Sequence, residues 1–301
     1  MFRAIAIIVL SLGGSSIASC WRPPVEKQTP FITSPPGEIR HDEFESGGLK
    51  RTYITYIPKA FKKGASKLLI VLHGAGGQGA DMRGIGIEHW ADRLGALVVY
   101  PDAVGGDARR TWALGCSHCT WADEHRIDDF RFMEELLRKL TDQYSLDRSR
   151  VFISGASLGG SFAFDFACRS SDLIAGVAVI ASLPSPEELS QCKNGPPISV
   201  MILNGDHDPN IPWEGGGRYG YLSNADAARF WATRNDCPTS PSVTKRATEN
   251  DRGRDVIVSE YSPCRKNSFV SLYRLAGGGH EWPRENIDAA KEIVDRFLAG
   301  Y

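Results

Sequence analysis

Short apolar runs alternate with segments of helical periodicity along most of the chain. From about residue 50 onward, runs rich in β-branched residues predict strands at 51–57, 68–72, 96–100, 150–153, 175–180, 198–203, 256–261 and 269–275, the last two as a hairpin. Apolar residues at helical spacing predict helices at 127–144, after residue 157 and at 286–299. Buried strands joined by helices indicate a mostly parallel sheet covered on both faces, so we predict an α/β fold with one domain at 39–301.

The N-terminal 19 residues have the layout of a signal peptide. Arg3 supplies a positive charge, and the apolar core at 4–12 is too short to span a bilayer comfortably. The run Ile17-Ala18-Ser19-Cys20 resembles a bacterial lipobox, in which cleavage before the cysteine frees a thiol that carries diacylglycerol. We therefore expect a lipidated Cys20, a proline-rich tether over 20–38, and a cell-envelope lipoprotein at the outer membrane or cell surface. The alternative is an ordinary signal peptide and a periplasmic or secreted protein.

Six cysteines follow Cys20, and an even number in an exported chain predicts disulfides. Pairing of sequence neighbours suggests Cys116–Cys119, Cys168–Cys192 and Cys237–Cys264. His118 and His125 lie close to the first pair, so a metal site is the alternative there. Export from the reducing cytosol favours the disulfide, and we expect no metal.

Bulk composition excludes some classes of partner. The chain has 301 residues, of which 42% are hydrophobic and 24% charged, and its formal net charge is −1. This balance supports a sizeable core and gives no broad attraction to nucleic acid or anionic lipid. We expect no nucleic-acid partner, and membrane attachment only through a lipid on Cys20.

Ser157 is the candidate nucleophile. It lies in the run Gly155-Ala156-Ser157-Leu158-Gly159, between the predicted strand 150–153 and a helix-like stretch. A nucleophile elbow requires this context, because its tight turn needs small neighbours and exposes the serine hydroxyl at a helix N-terminus. The alternative is a glycine-rich turn with a capping serine.

A serine nucleophile needs a general base. In folds with a nucleophile elbow, the order along the chain is the serine, then the acid, then the histidine base. Only two histidines follow Ser157. His280 lies in a glycine-rich loop just after the last predicted strand, so we predict His280 as the base. His207 precedes the most plausible acid and is expected to be a solvated loop residue.

Two aspartates compete for the role of the acid after the predicted strand 198–203. Asp208 is further from the strand end, and Pro209 would stiffen the loop beside it. We therefore favour Asp208, which would hold the tautomer of His280 and stabilise the imidazolium. We expect Asp206 to brace the loop.

Acyl transfer also requires two backbone N–H groups that stabilise an oxyanion. We predict one from Leu158, directly after the nucleophile, and one from Ala75 in the glycine-rich loop 73–77. A phosphate-binding role for this loop is excluded because no Gly-Lys-Ser/Thr sequence follows it. His73 is expected to support the loop.

Four tryptophans, Trp112, Trp121, Trp213 and Trp282, lie in loops near the predicted active face. Their rings could stack on sugar or phenolic rings, and we predict Trp112, Trp213 and Trp282 as substrate-binding residues. Packing within the loops is the alternative for each. The pair Asp128-Asp129 is expected to cap the following helix.

Several motifs together resemble the secreted polyhydroxybutyrate depolymerase and feruloyl esterase family of α/β-hydrolases. They are Leu72-His73-Gly74, Tyr100-Pro101-Asp102, Asp128-Asp129-Phe130, the Ser157 elbow, Gly205-Asp206-His207-Asp208-Pro209, Ile211-Pro212-Trp213 and Gly278-Gly279-His280-Glu281-Trp282-Pro283. The resemblance covers roughly residues 45–300. It implies an α/β-hydrolase fold, a triad of Ser157, Asp208 and His280, and disulfides at Cys168–Cys192 and Cys237–Cys264. The Cys116-x-x-Cys119 insert is less typical of the family.

The sequence therefore predicts an exported serine esterase that acts through an acyl-serine intermediate without a cofactor. Few residues separate the predicted strands 175–180 and 198–203, so we expect no lid domain and an open site for a bulky or polymeric ester. Feruloylated or acetylated polysaccharides and hydroxyalkanoate oligomers are the expected substrates. The alternatives are a serine peptidase on the same fold and a surface-anchored binding lipoprotein with a vestigial site.

Overall fold

The computed structural model describes residues 37–106, 109–116, 119–192, 194–217, 219–246, 255–285 and 287–299. The predicted signal peptide, Cys20 and the tether up to residue 36 lie outside the described residues. His118, one of the two histidines near the first cysteine pair, lies outside them as well.

The secondary-structure elements alternate along the chain much as the apolar pattern predicts. The strands are β1 (Glu38–Ser46), β2 (Leu49–Ile57), β3 (Leu68–Leu72), β4 (Leu97–Pro101), β5 (Val151–Ala156), β6 (Gly176–Ile180), β7 (Ser199–Gly205), β8 (Ser242–Arg246), β9 (Val256–Tyr261) and β10 (Val270–Leu275). The helices are α1 (Gly79–Met82), α2 (Ile87–Leu94), α3 (Trp121–Glu124), α4 (Asp129–Tyr144), α5 (Leu158–Arg169), α6 (Pro186–Ser190), α7 (Asn224–Arg234) and α8 (Ala289–Ile293). The last helix continues as a π-helical segment, Val294–Ala299. Short 3₁₀ turns occupy Arg83–Ile85, Arg148–Arg150, Ser171–Leu173 and Arg265–Asn267.

The strands form one sheet in the order β1-β2-β4-β3-β5-β6-β7-β10-β9-β8. The six central strands, in the order β4-β3-β5-β6-β7-β10, run parallel to one another. At the two edges, β1 and β2 on one side and β9 and β8 on the other pair antiparallel. The carboxyl ends of the parallel strands meet at one edge of the sheet, where α/β folds place their functional loops.

Both faces of the central strands are buried against helices, as continuous apolar runs predict. In β3, Leu68, Ile70 and Leu72 face a core built with α4, α5 and α7, whereas Leu69 and Val71 face a second core built with α2 and α8. The described residues between β6 and β7 hold one short helix, α6, and no lid domain. The predicted α/β-hydrolase fold is confirmed.

The apolar pattern did not predict the two edge strands β1 and β8. Most residues of β1 and all of β8 are exposed, so neither strand carries a buried apolar run. Glu38, which the prediction assigned to the tether, is the first residue of β1. The last helix begins at Ala289 after the capping residue Asp288, later than the predicted residue 286. Among the described helices, none combines the length and apolar character that a bilayer-spanning segment needs.

Three disulfides join the pairs that the sequence neighbours suggest, Cys116–Cys119, Cys168–Cys192 and Cys237–Cys264. The second fastens α5 to the segment after α6, and the third fastens the end of α7 to the segment after β9. Both therefore tie helices on one face of the sheet to their neighbours.

A carboxylate lies beside the Cys116–Cys119 disulfide, on Asp123 of α3. A carboxylate oxygen and the two sulfurs lie within 4.8 Å of one another. The carboxylate accepts hydrogen bonds from the amides of Leu114 (3.2 Å) and Gly115 (2.8 Å) and from the Thr120 hydroxyl (2.8 Å). Among the described residues the two sulfurs are joined in a disulfide, and sulfurs in that state offer no thiolate ligand.

A buried ion pair joins β2 and α4. Arg51 donates to Asp129 Oδ1, and both side chains are almost completely inaccessible to solvent. Asp129 Oδ2 accepts the amide of Ala113 at 2.8 Å. Asp128 is the cap of α4, because its Oδ1 accepts the amide of Arg131 at 2.9 Å. The two expected capping residues therefore have different roles, and Asp129 anchors the loop after β4.

Asp165 on α5 is a buried carboxyl group without a hydrogen-bond partner among the described residues. The nearest cation is Arg169, whose Nη2 lies 3.7 Å from Asp165 Oδ2. Burial, followed by the nearby carboxyl of Glu188, raises the pKa of Asp165 to about 8. A carboxyl in this environment is protonated in the folded protein at neutral pH.

We expect Asp165→Asn to stabilise the protein by an amount that grows from pH 4 to pH 8. The unfolded carboxyl ionises near pH 4, whereas the folded group holds its proton until about pH 8, so folding stability is lost as the pH rises through this window. Between pH 5 and pH 8 the gain should grow by up to about 4 kcal/mol, at about 1.4 kcal/mol per pKa unit. Urea unfolding at pH 5 and pH 8 measures it, with the exposed Asp142→Asn as the control. A gain that is the same at both pH values would contradict this account.

Candidate active site

Ser157 occupies a strained turn between β5 and α5. Its φ of 53° and ψ of −125° lie in a region that a non-glycine residue rarely adopts. A Cβ atom on Gly155 would lie 2.3 Å from the carbonyl oxygen of Gly159, and one on Gly159 would lie 2.4 Å from that of His73. These close approaches require glycine on both sides of the serine. The turn therefore packs directly against the loop 73–77, here called the oxyanion loop.

Ser157, His280 and Asp208 form a continuous chain of hydrogen bonds. The distance from Ser157 Oγ to His280 Nε2 is 2.9 Å, and that from His280 Nδ1 to Asp208 Oδ2 is 2.8 Å. The Asp208 side chain is inaccessible to solvent, and only 8% of the His280 side chain is exposed. With Nδ1–H donated to the carboxylate, Nε2 is free to accept the serine proton.

The other oxygen of Asp208 is held by its own loop, residues 206–213, here called the acid loop. Oδ1 accepts the backbone amides of Asn210 (2.7 Å) and Ile211 (2.9 Å). Ile211 is itself buried in the core. Asp208 is therefore fixed from one side by the backbone while it presents Oδ2 to His280.

Asp206 connects the acid loop with the loop that carries His280. Its Oδ1 accepts the amide of Gly277 at 2.7 Å, and its Oδ2 accepts Nε–H of Arg274 at 2.9 Å. Burial opposes ionisation, but the hydrogen bonds from His207, Gly277 and Arg274 outweigh it and lower the pKa of Asp206. The His207 side chain is 75% exposed and contacts Asp206 rather than Ser157. These positions agree with the expected bracing role of Asp206 and the solvated position of His207.

The oxyanion loop is oriented by the buried ring of His73. Nε2 of this ring accepts the amide of Ala103 at 3.1 Å, so Nδ1 carries the hydrogen and donates it to the Gly74 carbonyl at 2.7 Å. Burial lowers the pKa of His73 to about 4, which keeps the ring neutral near pH 7. Because the C=O and N–H of a trans peptide point in opposite directions, this bond directs the Ala75 N–H away from the ring.

The loop that carries Ala75 and the first turn of α5 both lie next to Ser157. A Cβ atom on Gly74 would lie 3.3 Å from Ser157 Cβ, which places the loop carrying Ala75 against Ser157. Leu158 is the first residue of α5, so its N–H has no acceptor within the helix. The two N–H groups therefore come from separate elements that meet at Ser157.

The three tryptophans predicted to bind substrate have different environments. Trp112 is fully buried, donates its indole N–H to the His73 carbonyl at 2.9 Å and stacks on Phe162. Trp282 is 3% exposed and packs in the core beside α8. These two placements correct the prediction, because a ring without an exposed face cannot stack on a substrate. The sequence pattern did not predict that Trp112 supports the oxyanion loop through its hydrogen bond to His73.

Trp213, at the end of the acid loop, keeps part of its ring accessible. The guanidinium of Arg274 lies 5.4 Å from the centre of that ring. Trp121 is also partly exposed, and its ring stacks on His125 at 4.0 Å. Of the predicted substrate-binding residues, Trp213 has the environment that a stacking surface requires.

Comparison with known proteins identifies the family. A family model described as "Esterase PHB depolymerase" matches residues 51–193. A protein of Nocardia uniformis subsp. tsuyamanensis that is named as an esterase, NocK, is 33% identical over 261 residues, which cover 77% of this chain and 71% of NocK. The chain belongs to the polyhydroxybutyrate depolymerase and feruloyl esterase family of α/β-hydrolases.

A more distant relative and a solved structure of similar fold resemble the chain as well. Feruloyl esterase B of Piromyces equi is 26% identical over 195 residues, or 62% of this chain. The chain spans about a third of that relative's own length, 34%. An acetyl xylan esterase from Aspergillus awamori superposes with a TM-score of 0.64 over 88% of this chain and 100% of that chain, at 12% identity, which is a likeness of fold.

The part of the chain matched by the family model includes the oxyanion loop and Ser157. Asp208 and His280 lie beyond residue 193, so their assignment depends on the hydrogen bonds that join them to Ser157 and on the motifs around them.

Proposed function

We propose that this member of the family is a serine esterase that hydrolyses carboxylic esters through an acyl-serine intermediate. Ser157 is the nucleophile, His280 the general base and Asp208 the acid. The observation that carries the proposal is the chain of hydrogen bonds from Asp208 through His280 to Ser157, at 2.8 and 2.9 Å. Such a chain matches the geometry that activates serine for acyl transfer.

The arrangement supports a two-step reaction. His280 Nε2 removes the hydroxyl proton while Ser157 Oγ attacks the ester carbonyl carbon, and the N–H groups of Ala75 and Leu158 stabilise the oxyanion. Collapse of the intermediate breaks the ester C–O bond, and the imidazolium of His280 gives its proton to the departing alcohol. Water, activated by the same histidine, then attacks the acyl-serine and releases the carboxylic acid.

The names of the relatives and the short connection between β6 and β7 support the proposed substrate class. The relatives are named as feruloyl and acetyl xylan esterases, and the short connection between β6 and β7 favours access for a large ester. We propose feruloylated or acetylated polysaccharides, or hydroxyalkanoate oligomers, as substrates, with Trp213 as a binding surface. Trp112 and Trp282 then act as packing residues behind the site.

Export of this esterase is part of the proposal. Three disulfides favour an oxidising compartment, because the cytosol keeps most thiols reduced. The signal-peptide layout of the first 19 residues and the lipobox at Cys20 favour a lipid anchor in the cell envelope. The anchor would hold the enzyme next to polymeric or oligomeric esters outside the cytoplasm.

A fluorophosphonate probe tests the proposal directly. Incubation of the purified protein at neutral pH should label Ser157, as located by peptide mass spectrometry, and block hydrolysis of p-nitrophenyl acetate. A panel of methyl ferulate, acetylated xylan, hydroxybutyrate oligomers and peptides then defines the substrate. Absence of both labelling and turnover would favour a binding protein with a vestigial site, and preferential cleavage of peptides would favour a peptidase.

A further inference from the structure

A chain of buried polar side chains lies behind the acid loop. Asn204, near the end of β7, accepts the amide of Ser182 on Oδ1 at 3.0 Å. Its Nδ2 donates to the Ser182 carbonyl at 2.9 Å and to Asn224 Oδ1 at 2.8 Å. Asn204, Asn224 and Ser182 are all 0% exposed. The side-chain amide of Asn204 is therefore oriented by one acceptor and two donor contacts.

Asn224, the first residue of α7, continues the chain to the far end of the acid loop. Its Nδ2 donates to the Trp213 carbonyl at 3.0 Å, and its backbone amide reaches the same carbonyl at 3.2 Å. The acid loop begins directly after Gly205 of β7 and ends at Trp213. Its two ends are thus connected through hydrogen bonds from Asn204 to Asn224, and Asp208 lies between them.

The same chain reaches the helix that follows the nucleophile. Ser161, one turn into α5, is hydrogen-bonded to Ser182 through their hydroxyl groups at 3.0 Å. Ser161 is 4% exposed. The polar chain therefore connects the helix behind Ser157 with both ends of the loop that carries Asp208.

Buried polar side chains such as these reduce folding stability unless their hydrogen bonds are made. Burial of an amide or hydroxyl group is unfavourable without partners, and apolar side chains of similar volume would pack at these positions at less cost. A satisfied polar chain fixes one arrangement of the elements that it joins, because any displacement leaves several groups unpaired. Here the elements joined are the supports of the nucleophile and of the acid.

We propose that Asn204 and Asn224 are positioning residues that hold Asp208 at hydrogen-bonding distance from His280. This role rests on the proposed function, since it concerns the same triad. Catalytic groups must be held within about 0.5 Å of the productive geometry. Loss of the Asn224 side-chain bond leaves the Trp213 carbonyl with the longer backbone bond alone, at 3.2 Å. This end of the acid loop then becomes less restrained, and Asp208 can shift away from the histidine.

The matched pair Asn224→Leu and Asn235→Leu tests the proposal. Asn235 is equally buried and makes two bonds with Ile198, at the opposite end of β7 from the active site. Both variants should lose stability in urea. Only Asn224→Leu should lower kcat for p-nitrophenyl acetate, by about 10- to 100-fold, with KM changed less than about threefold. An unchanged kcat in Asn224→Leu, or an equal loss in Asn235→Leu, would overturn the proposal.

A double-mutant cycle with Asp208→Asn separates positioning from general destabilisation. If Asn224 acts through Asp208, Asn224→Leu should lower kcat little further in the Asp208→Asn background. Effects that multiply would overturn the proposal. Asn224→Asp, which keeps the acceptor for Asn204 but loses the donor to Trp213, replaces the leucine variant if that variant does not fold.

The outcome also separates this inference from the proposed function. Wild-type turnover that is abolished by a fluorophosphonate, together with full activity of Asn224→Leu, would reject the positioning role and leave the esterase intact. A wild-type protein that neither turns over esters nor reacts with the probe would reject the esterase itself.

Discussion

Replacement of Ser157 by alanine is expected to lower kcat for p-nitrophenyl acetate by about a million-fold. The hydroxyl is the group that receives the acyl chain, and the oxyanion donors and bound substrate alone leave only a small residual rate. Burst and steady-state kinetics of the purified variant measure the loss. Circular dichroism should be unchanged, because the substitution removes one oxygen atom from a partly accessible side chain.

Ser190→Ala is the matched control for this substitution. Ser190 is an exposed serine on α6 whose hydroxyl donates to the carbonyl of Glu187 in the same helix. Its loss should leave kcat within about twofold of the wild-type value, as expected for a surface substitution. Substantial turnover by Ser157→Ala after removal of contaminating esterases would mean that another residue is the nucleophile.

The second large effect on kcat tests which of two neighbouring aspartates, Asp206 or Asp208, is the acid. We expect Asp208→Asn to lower kcat by about ten thousand-fold. An asparagine at 208 can donate its NH₂ to His280 Nδ1, which would stabilise the tautomer whose Nε2 carries a proton and cannot accept one from Ser157. Structure and stability should change little, because the substitution conserves shape.

Asp206→Asn is the matched comparison for Asp208→Asn. Asp206 binds Gly277 and Arg274 rather than His280, so its substitution should cost less than about tenfold in kcat. The ratio of the two losses, measured under one set of conditions, identifies the acid. A larger loss in Asp206→Asn than in Asp208→Asn would reverse the assignment.

Much of the sheet was predictable because its central strands are buried on both faces. In β3 every residue from Leu68 to Leu72 is inaccessible to solvent, and such a run stands out in the sequence. The edge strands β1 and β8 have no such run. Their positions depend on backbone pairing with β2 and β9, and hydrogen bonds of the main chain leave little trace in side-chain pattern.

The candidate triad was predictable for a related reason. Parallel strands bring their carboxyl ends to one edge of the sheet, so residues just after β5, β7 and β10 must meet there. The order of Ser157, Asp208 and His280 along the chain reflects that topology. The tryptophans were not predictable in this way, because a loop position does not determine whether a ring such as that of Trp112 turns inward or outward.

By itself, the amino-acid sequence determined the class of fold, the strand ends that meet and the tight turn at Ser157, and it suggested the pairs of cysteines. These properties depend on local periodicity, small residues and short distances along the chain. Only the tertiary structure decided that Asp129 pairs with Arg51, that Asp165 is buried without a hydrogen-bond partner among the described residues, and that Asn204 and Asn224 join the two ends of the acid loop. Each of these depends on groups far apart in sequence and on burial from water, which no local pattern specifies.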